Sequence, residues 1–346
     1  MIFWLWGVGD SSKLGSNFWE GIISDTKITI GNLISDGFGL GFGRMGEVIK
    51  VAWFPFLFGM IAMGVFVYFT MQPLILAYVD FIGTIGAAAQ GAAIGDPNAA
   101  FLAGFEEIGY LQVSMSYLVM MFGAFLIYAI PTVAYSQMVA TGYAPRGPFY
   151  FKLGPKEINV MLDYVLITLI SAVVMVLVAL AVGAVIGGVV AAAGSGDGTE
   201  PAAVGGMIVM VIALTFGMLF MFAWIFSKFG LAFPIASIEG GLGLRRAWSM
   251  SRGHSFKLAM AIIAAYIVMF VLYFVAILVV GIVLVPLTMV GGSMENPLIM
   301  MIVGGVVYVA FYIVTYSIML AIPVGIFSGL YRRLKPDASG VSETFS

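Results

Sequence analysis

Residues 233–258 read FPIASIEGGLGLRRAWSMSRGHSFKL. This polar, basic stretch stands between two long apolar segments. It holds Arg245, Arg246, Arg252 and Lys257, four of the chain's fifteen basic residues, together with His254, its one histidine. Pro234 cannot donate a backbone hydrogen bond, and Gly240–Gly241 is a turn signal, so the preceding helix is expected to break here and turn along a surface. From Leu242 to Arg252, the residues Leu244, Ala247, Trp248 and Ser251 recur at i, i+3, i+4 and i+7, while Arg245, Arg246, Ser249 and Arg252 fall on other faces. That spacing predicts a short interfacial helix with Trp248 in the headgroup layer and the arginines reaching for phosphate. Gly253 suits the position just after its last turn. Glu239 lies near its start, where a negative charge is favoured, and is expected to cap it. A lone His254 beside Arg252 and Lys257 reads most simply as a headgroup-facing residue.

On both sides of this stretch the chain is too apolar for one soluble core. It is 62% hydrophobic and 9% charged, against about 25% charged in ordinary soluble domains. Continuous runs of Leu, Ile, Val, Met and Ala predict six membrane spans, at about 51–79, 112–140, 162–193, 204–231, 256–290 and 298–330. Each exceeds the ~20 residues that a helix needs to cross hydrocarbon. The alternation expected of a membrane β-barrel is absent. The fold class is therefore all-α, a polytopic transmembrane bundle of six spans. Residues 1–50 are expected to form an interfacial N-terminal segment, 51–330 the six-helix domain and 331–346 a tail. Within the first segment, residues 27–50 place Leu33, Gly37, Phe38 and Leu40 near one another on a helix that could lie on the membrane.

Charge gives the orientation. With six spans, all fifteen Lys and Arg fall on one side, and the opposite loops carry seven acids: Asp80, Asp96, Glu106, Glu107, Asp197, Glu200 and Glu295. Cytoplasmic loops are enriched in Lys and Arg, which puts both termini in the cytoplasm, the arrangement of a bacterial inner-membrane protein. A wrong span count would scatter the bases over both sides. Basic, glycine-containing segments precede spans one, three and five, at about 27–50, 146–161 and 240–257, so a threefold unit of one surface segment and one hairpin is expected. The start, MIFWLWGVGD, lacks a basic region and a cleavage site and reads as mature sequence.

The run from Pro234 to Leu258 resembles the signature of the bacterial membrane-domain superfamily that includes the glycerophosphoryl diester phosphodiesterase membrane domain. Pro234, Glu239, Gly243, Ala247, Ser251, Arg252 and Gly253 occupy the matching places, and residues 28–51 are similar to that family's N-terminal element. The resemblance implies a six-helix membrane fold. The family's soluble phosphodiesterase domain is not in this sequence, so the resemblance implies no hydrolase activity.

Several chemistries are excluded or disfavoured by residue type. There is no cysteine, hence no disulfide, thiolate nucleophile or thiolate metal site, and one histidine cannot make a multi-histidine metal or haem site. Asp80, Asp163 and Lys228 fall at span ends rather than mid-span, which argues against proton-coupled transport and intramembrane proteolysis. GLGLRR and GFGLGFG lack the features of a nucleotide-binding loop. No catalytic residue, metal, cofactor or nucleic-acid partner is expected. Gln72–Pro73, Pro131, Gln137, Pro286 and Pro323 mark kinks, and Ala179, Gly183 and Gly187 form a small-residue ladder that permits close helix packing, with internal contact the first expectation. Gly304–Gly305 is a second such point. These features lead to an expected non-enzymatic, structural or accessory membrane component. It would contact other integral membrane proteins and, through Arg245, Arg246, Trp248, Arg252, His254 and Lys257, anionic phospholipids. A transporter or channel for a lipid-like or apolar solute is the alternative. A lipid-modifying enzyme using Glu239 and His254 is a third.

Overall fold

The computed structural model describes residues 28–89, 110–142, 149–193, 215, 217, 218, 220–291 and 297–335. Among these residues there are helices and turns but no strand. The helices are α1 (Ile30–Phe38), α2 (Met45–Ala89), α3 (Tyr110–Thr141), α4 (Pro155–Ala193), α5 (220–229), α6 (Ala232–Ile238), α7 (Leu244–Met250), α8 (Ser255–Gly291) and α9 (Pro297–Leu334). A π-helical turn, Gly39–Gly43, follows α1. Six helical segments are long and apolar enough to cross a membrane: Met45–Gln72, Gln112–Thr141, Pro155–Leu180, Phe220–Ile238, Ser255–Ile282 and Gly304–Leu334. The chain is thus an all-α six-span bundle, and each predicted span has its helix.

The starts of α2, α4 and α8 and the ends of α3, α6 and α9 meet at one end. Side chains tie them together there. Arg44 donates to the Met138 carbonyl at 3.3 Å, Gln137 to that of Ser237 at 3.4 Å, and Lys156 to that of Ile238 at 3.3 Å. All the described Lys and Arg residues lie at this end; Lys13, Lys27 and Arg146 lie outside the described residues. The buried core is concentrated here too, in α1, the first turns of α2, Ala129–Val139, Leu231–Ala236, Leu258–Met269 and Ala321–Tyr331. Of the described part of the fourth span, Phe220–Ile238, which lies toward this end, 61% is buried. Toward the opposite end the helices expose large apolar side chains such as Phe69, Leu180, Phe270 and Ile282. This is the pattern expected of a surface solvated by lipid.

Helix α2 departs from helical geometry at Met71 (φ −124°, ψ 19°), two residues before Pro73, which has no N–H to donate. The Gln112 amide of α3 donates to the Thr70 carbonyl at 3.3 Å and meets a backbone acceptor beside this break. Pro131 and Pro323 lie inside α3 and α9, which continue through them.

The N-terminal segment differs from expectation. Residues 30–50 are not a separate element lying on the membrane: Met45–Lys50 are the first turns of α2, and α1 packs on α8 and α9. The apolar face of α1 and of the turn after it is covered by protein, with Leu33 fully buried and Leu40 4% exposed. Glycine permits the contact. A Cβ at Gly37 would come within 2.7 Å of the Ile322 carbonyl, and one at Gly325 within 2.9 Å of the Gly37 Cα. Gly37 therefore opposes Gly325 closely enough for the backbones to touch, while Gly41 makes room for the Ile322 side chain and Gly329 for that of Asp36. Beside the crossing, Arg333 grips Asp36 with both arms of its guanidinium, at 2.9 and 3.1 Å from Nη2 and 3.2 Å from Nε, and both side chains are buried.

Candidate functional site

The break predicted at Pro234 is present. Because Pro234 has no N–H, the Gly230 carbonyl accepts instead from Phe233 at 3.3 Å, and the chain turns between α5 and α6. Gly240 (φ +82°) and Gly241 (φ +77°) then take left-handed conformations that glycine adopts without strain, and reverse the chain into α7. Helix α7 is seven residues long, shorter than the 242–252 predicted, and Gly253 (φ +83°) ends the turn that follows it, as its position implied.

What anchors α7 was not legible locally. Gly243 precedes it, with no side-chain cap from its own segment. Its N–H donates instead to Asp163 Oδ2 of α4 at 3.3 Å. The expected capping role of Glu239 is therefore corrected: the acid at the start of α7 is Asp163. Glu239 follows α6, and its carboxylate accepts from Lys335 at 2.6 Å and from Tyr331 and Arg246, joining α7 to the end of α9. Burial pushes this carboxyl up, but hydrogen bonds from Lys335 and Tyr331 and the charge of Arg246 outweigh it and hold Glu239 below the usual carboxylate range. Asp163 is fully buried, and its Oδ1 has no hydrogen-bond partner among the described residues. Its signal lay in the sequence: Val160, Asp163 and Ile167 fall at i, i+3 and i+7, and all three are buried on one face of α4.

The inner face of α7 is Ala247 and Ser251, both fully buried, with Leu244 half-buried. A Cβ at Gly243 would come within 2.5 Å of the Ala232 carbonyl, so α7 starts directly against α6. Trp248 was expected on this apolar face. It stands at the outer side, 37% exposed, stacked at a tilt on Phe229 (5.4 Å between ring centroids) and edge-on to Trp224 (6.4 Å). The Lys228 ammonium lies 5.2 Å from the Trp248 ring centroid and 5.9 Å from that of Trp224. Arg245 and Arg252 are exposed on the same outer side.

The other residues of the expected headgroup set are placed differently. Arg246 is engaged by Glu239, and Lys257, though exposed, donates to the Ile28 carbonyl at 3.1 Å. His254 is half-buried, and its buried Nδ1 has no hydrogen-bond partner among the described residues. No cluster of His, Asp or Glu suited to a metal ion is present among the described residues.

On the α4 ladder, Ala179 and Gly183 are exposed among the described residues, and a Cβ at Gly183 would meet none of them within 4 Å. Gly187 lies in the same helix, with its surroundings outside the described residues. Gly304 and Gly305 are likewise open. The close helix contact is made elsewhere, by the glycines of α1 and α9.

Comparison with protein-family models, with curated proteins and with solved structures gives no match.

Proposed function

We propose that this chain is a non-enzymatic, accessory component of a membrane protein assembly that also binds anionic phospholipid at its basic end. That end is read as cytoplasmic, in a bacterial inner membrane, because Lys and Arg concentrate on the cytoplasmic side. One observation carries the reading: α7 spends its inner face and its start on holding itself to the bundle, and presents Arg245, Trp248 and Arg252 outward. A helix so fixed offers charge to a headgroup without being ordered by it, and each base at an anionic surface contributes ~1 kcal/mol. The open faces at Ala179 and Gly183 on α4 and at Gly304–Gly305 on α9 support contact with other membrane proteins. The resemblance of residues 234–258 to the phosphodiesterase membrane-domain superfamily supports the same bundle-level reading.

Purification in mild detergent with mass spectrometry of co-migrating molecules tests this. A stoichiometric protein partner together with retained anionic lipid is the expected result. A lone monomer, combined with unchanged membrane complexes after deletion, would overturn it.

A row of phenols supports the second reading, movement of a lipid-like or apolar solute. Tyr308, Tyr312 and Tyr316 recur every four residues on α9, inside a span, with Tyr312 and Tyr316 stacked at 4.1 Å. Substrate-dependent flux in vesicles that survives replacement of all three by Phe would remove that support.

A further inference from the structure

We propose that α7 and the end of α5 form one binding site for a phospholipid whose headgroup carries two phosphates. Arg245 and Arg252 would bind one phosphate each, with the Lys228–Trp248 pair between them. The proposal rests on the lipid-binding reading above and narrows it to three cations and one ligand class.

Spacing comes first. Arg245 and Trp248 fall at i and i+3 of α7, Arg252 lies in the turn just after it, and all three are exposed. The two arginines thus sit at opposite ends of α7, whose seven residues span about 10 Å at a rise of 1.5 Å per residue. That is wide for a single phosphate and suits two borne on one headgroup. A guanidinium can meet phosphate oxygens with two parallel hydrogen bonds, which makes arginine the fitting residue at each end. Between them, Lys228 reaches across from α5 and holds its ammonium over the Trp248 ring. An ammonium held by an indole is a fixed charge rather than a freely swinging one.

Neutralisation is the second argument. From residue 201 to residue 294 the chain contains a single acid, Glu239, and that carboxylate is occupied by Arg246, Lys335 and Tyr331. Asp163 reaches α7 only from the inside, at the Gly243 N–H. Among the described residues Asp36 pairs with Arg333, and Glu47 with Arg44. Lys228, Arg245 and Arg252 thus have no carboxylate partner among the described residues, and their charge is open to an anionic ligand. An exposed tryptophan pair could instead receive a quaternary ammonium such as choline. Lys228 already lies over both rings, so the pair selects against that cation and leaves phosphate as the attracted group.

The test compares cardiolipin, which has two phosphates on one headgroup, with phosphatidylglycerol at twice the mole fraction. Both are placed in phosphatidylcholine nanodiscs holding the full chain, with retained lipid read by native mass spectrometry. Cardiolipin should be retained about 10-fold more tightly at matched phosphate. Replacing Arg245→Gln and Arg252→Gln together should abolish that preference. Replacing Lys50→Gln and Lys152→Gln together removes the same charge from exposed positions at the same end and should leave it in place. Equal retention of the two lipids, or equal loss in both double variants, overturns the two-phosphate site while the general basic-surface reading stands. Retention of neither anionic lipid by the unaltered chain overturns both.

Discussion

Two stretches of this chain carry small residues four apart, and the bundle uses them in opposite ways. Gly37 and Gly41 press against α9, Gly37 so closely on Gly325 that a Cβ at either would strike backbone, and Gly41 against the Ile322 side chain. Ala179 and Gly183, on α4, are exposed among the described residues, none of which lies against Gly183. Spacing alone does not separate them. What separates them is what stands across the gap and beside it. The first pair meets Gly325 and Ile322 of α9 and is flanked by the buried Asp36–Arg333 ion pair. The second lies away from the basic end, where the polar ties between helices are found. A small-residue motif makes backbone contact possible, and a directional polar interaction selects which contact is made.

That comparison can be broken from its stronger side. Arg333→Ala should have the largest effect. It leaves Asp36 buried without its partner, and we expect about 3–5 kcal/mol of lost stability in micelle unfolding. A loss under about 1 kcal/mol would show that the pair does not select the crossing. Gly325→Val comes next. Its Cβ would lie 2.9 Å from the Gly37 Cα and 3.0 Å from the Asp36 carbonyl, both backbone, so the helices must part. Overpacking of this kind costs about 1–3 kcal/mol, readable as a lowered melting temperature.

Glu239 gives a smaller, pH-dependent effect. Its folded-state carboxyl titrates below the ordinary 4.5. A depressed acid contributes stability that is present above 4.5 and lost as pH falls through the folded value. The protection of α7 amides relative to their intrinsic exchange rates should therefore be high at neutral pH and fall below 4.5, and Glu239→Gln should flatten that dependence. An α7 exchange profile indifferent to both changes would mean that Glu239 does not hold the helix.

The open ladder supplies the smallest effect on the isolated chain and the sharpest contrast. Ala179→Leu with Gly183→Leu should shift its stability within about 0.5 kcal/mol per site. The same pair of changes should deplete a co-purifying membrane protein. If it destabilises the isolated chain as much as Gly325→Val does, the two stretches are not different in kind.

The six spans were legible in the sequence because hydrophobic length alone decides a span. The break at Pro234, the left-handed Gly240–Gly241 turn and the Gly253 stop were legible because each rests on one residue's backbone chemistry. The site was legible in part. Arg245 and Arg252 were readable as outward charge from their spacing. Trp248 was misplaced because a helical wheel assigns it to the apolar face, while its position depends on Phe229 and Lys228 of another helix. Asp163 lies 80 residues from the helix that it caps, and Asp36 lies 297 from Arg333, so neither partnership is visible to local periodicity. Asp163 was nonetheless readable as inward-facing from Val160 and Ile167.

That last separation has a consequence in time. Asp36 leaves the ribosome near the beginning of synthesis and Arg333 near its end. At about 5–20 residues per second, an interval of roughly 15–60 s passes before the two can meet. Throughout it the glycine face of α1 has no α9 to rest on and its carboxylate has no guanidinium. A chain stalled before the last helix keeps both exposed. The crossing that closes the finished bundle is therefore also the mark by which an unfinished one can be recognised, bound by a chaperone, or degraded.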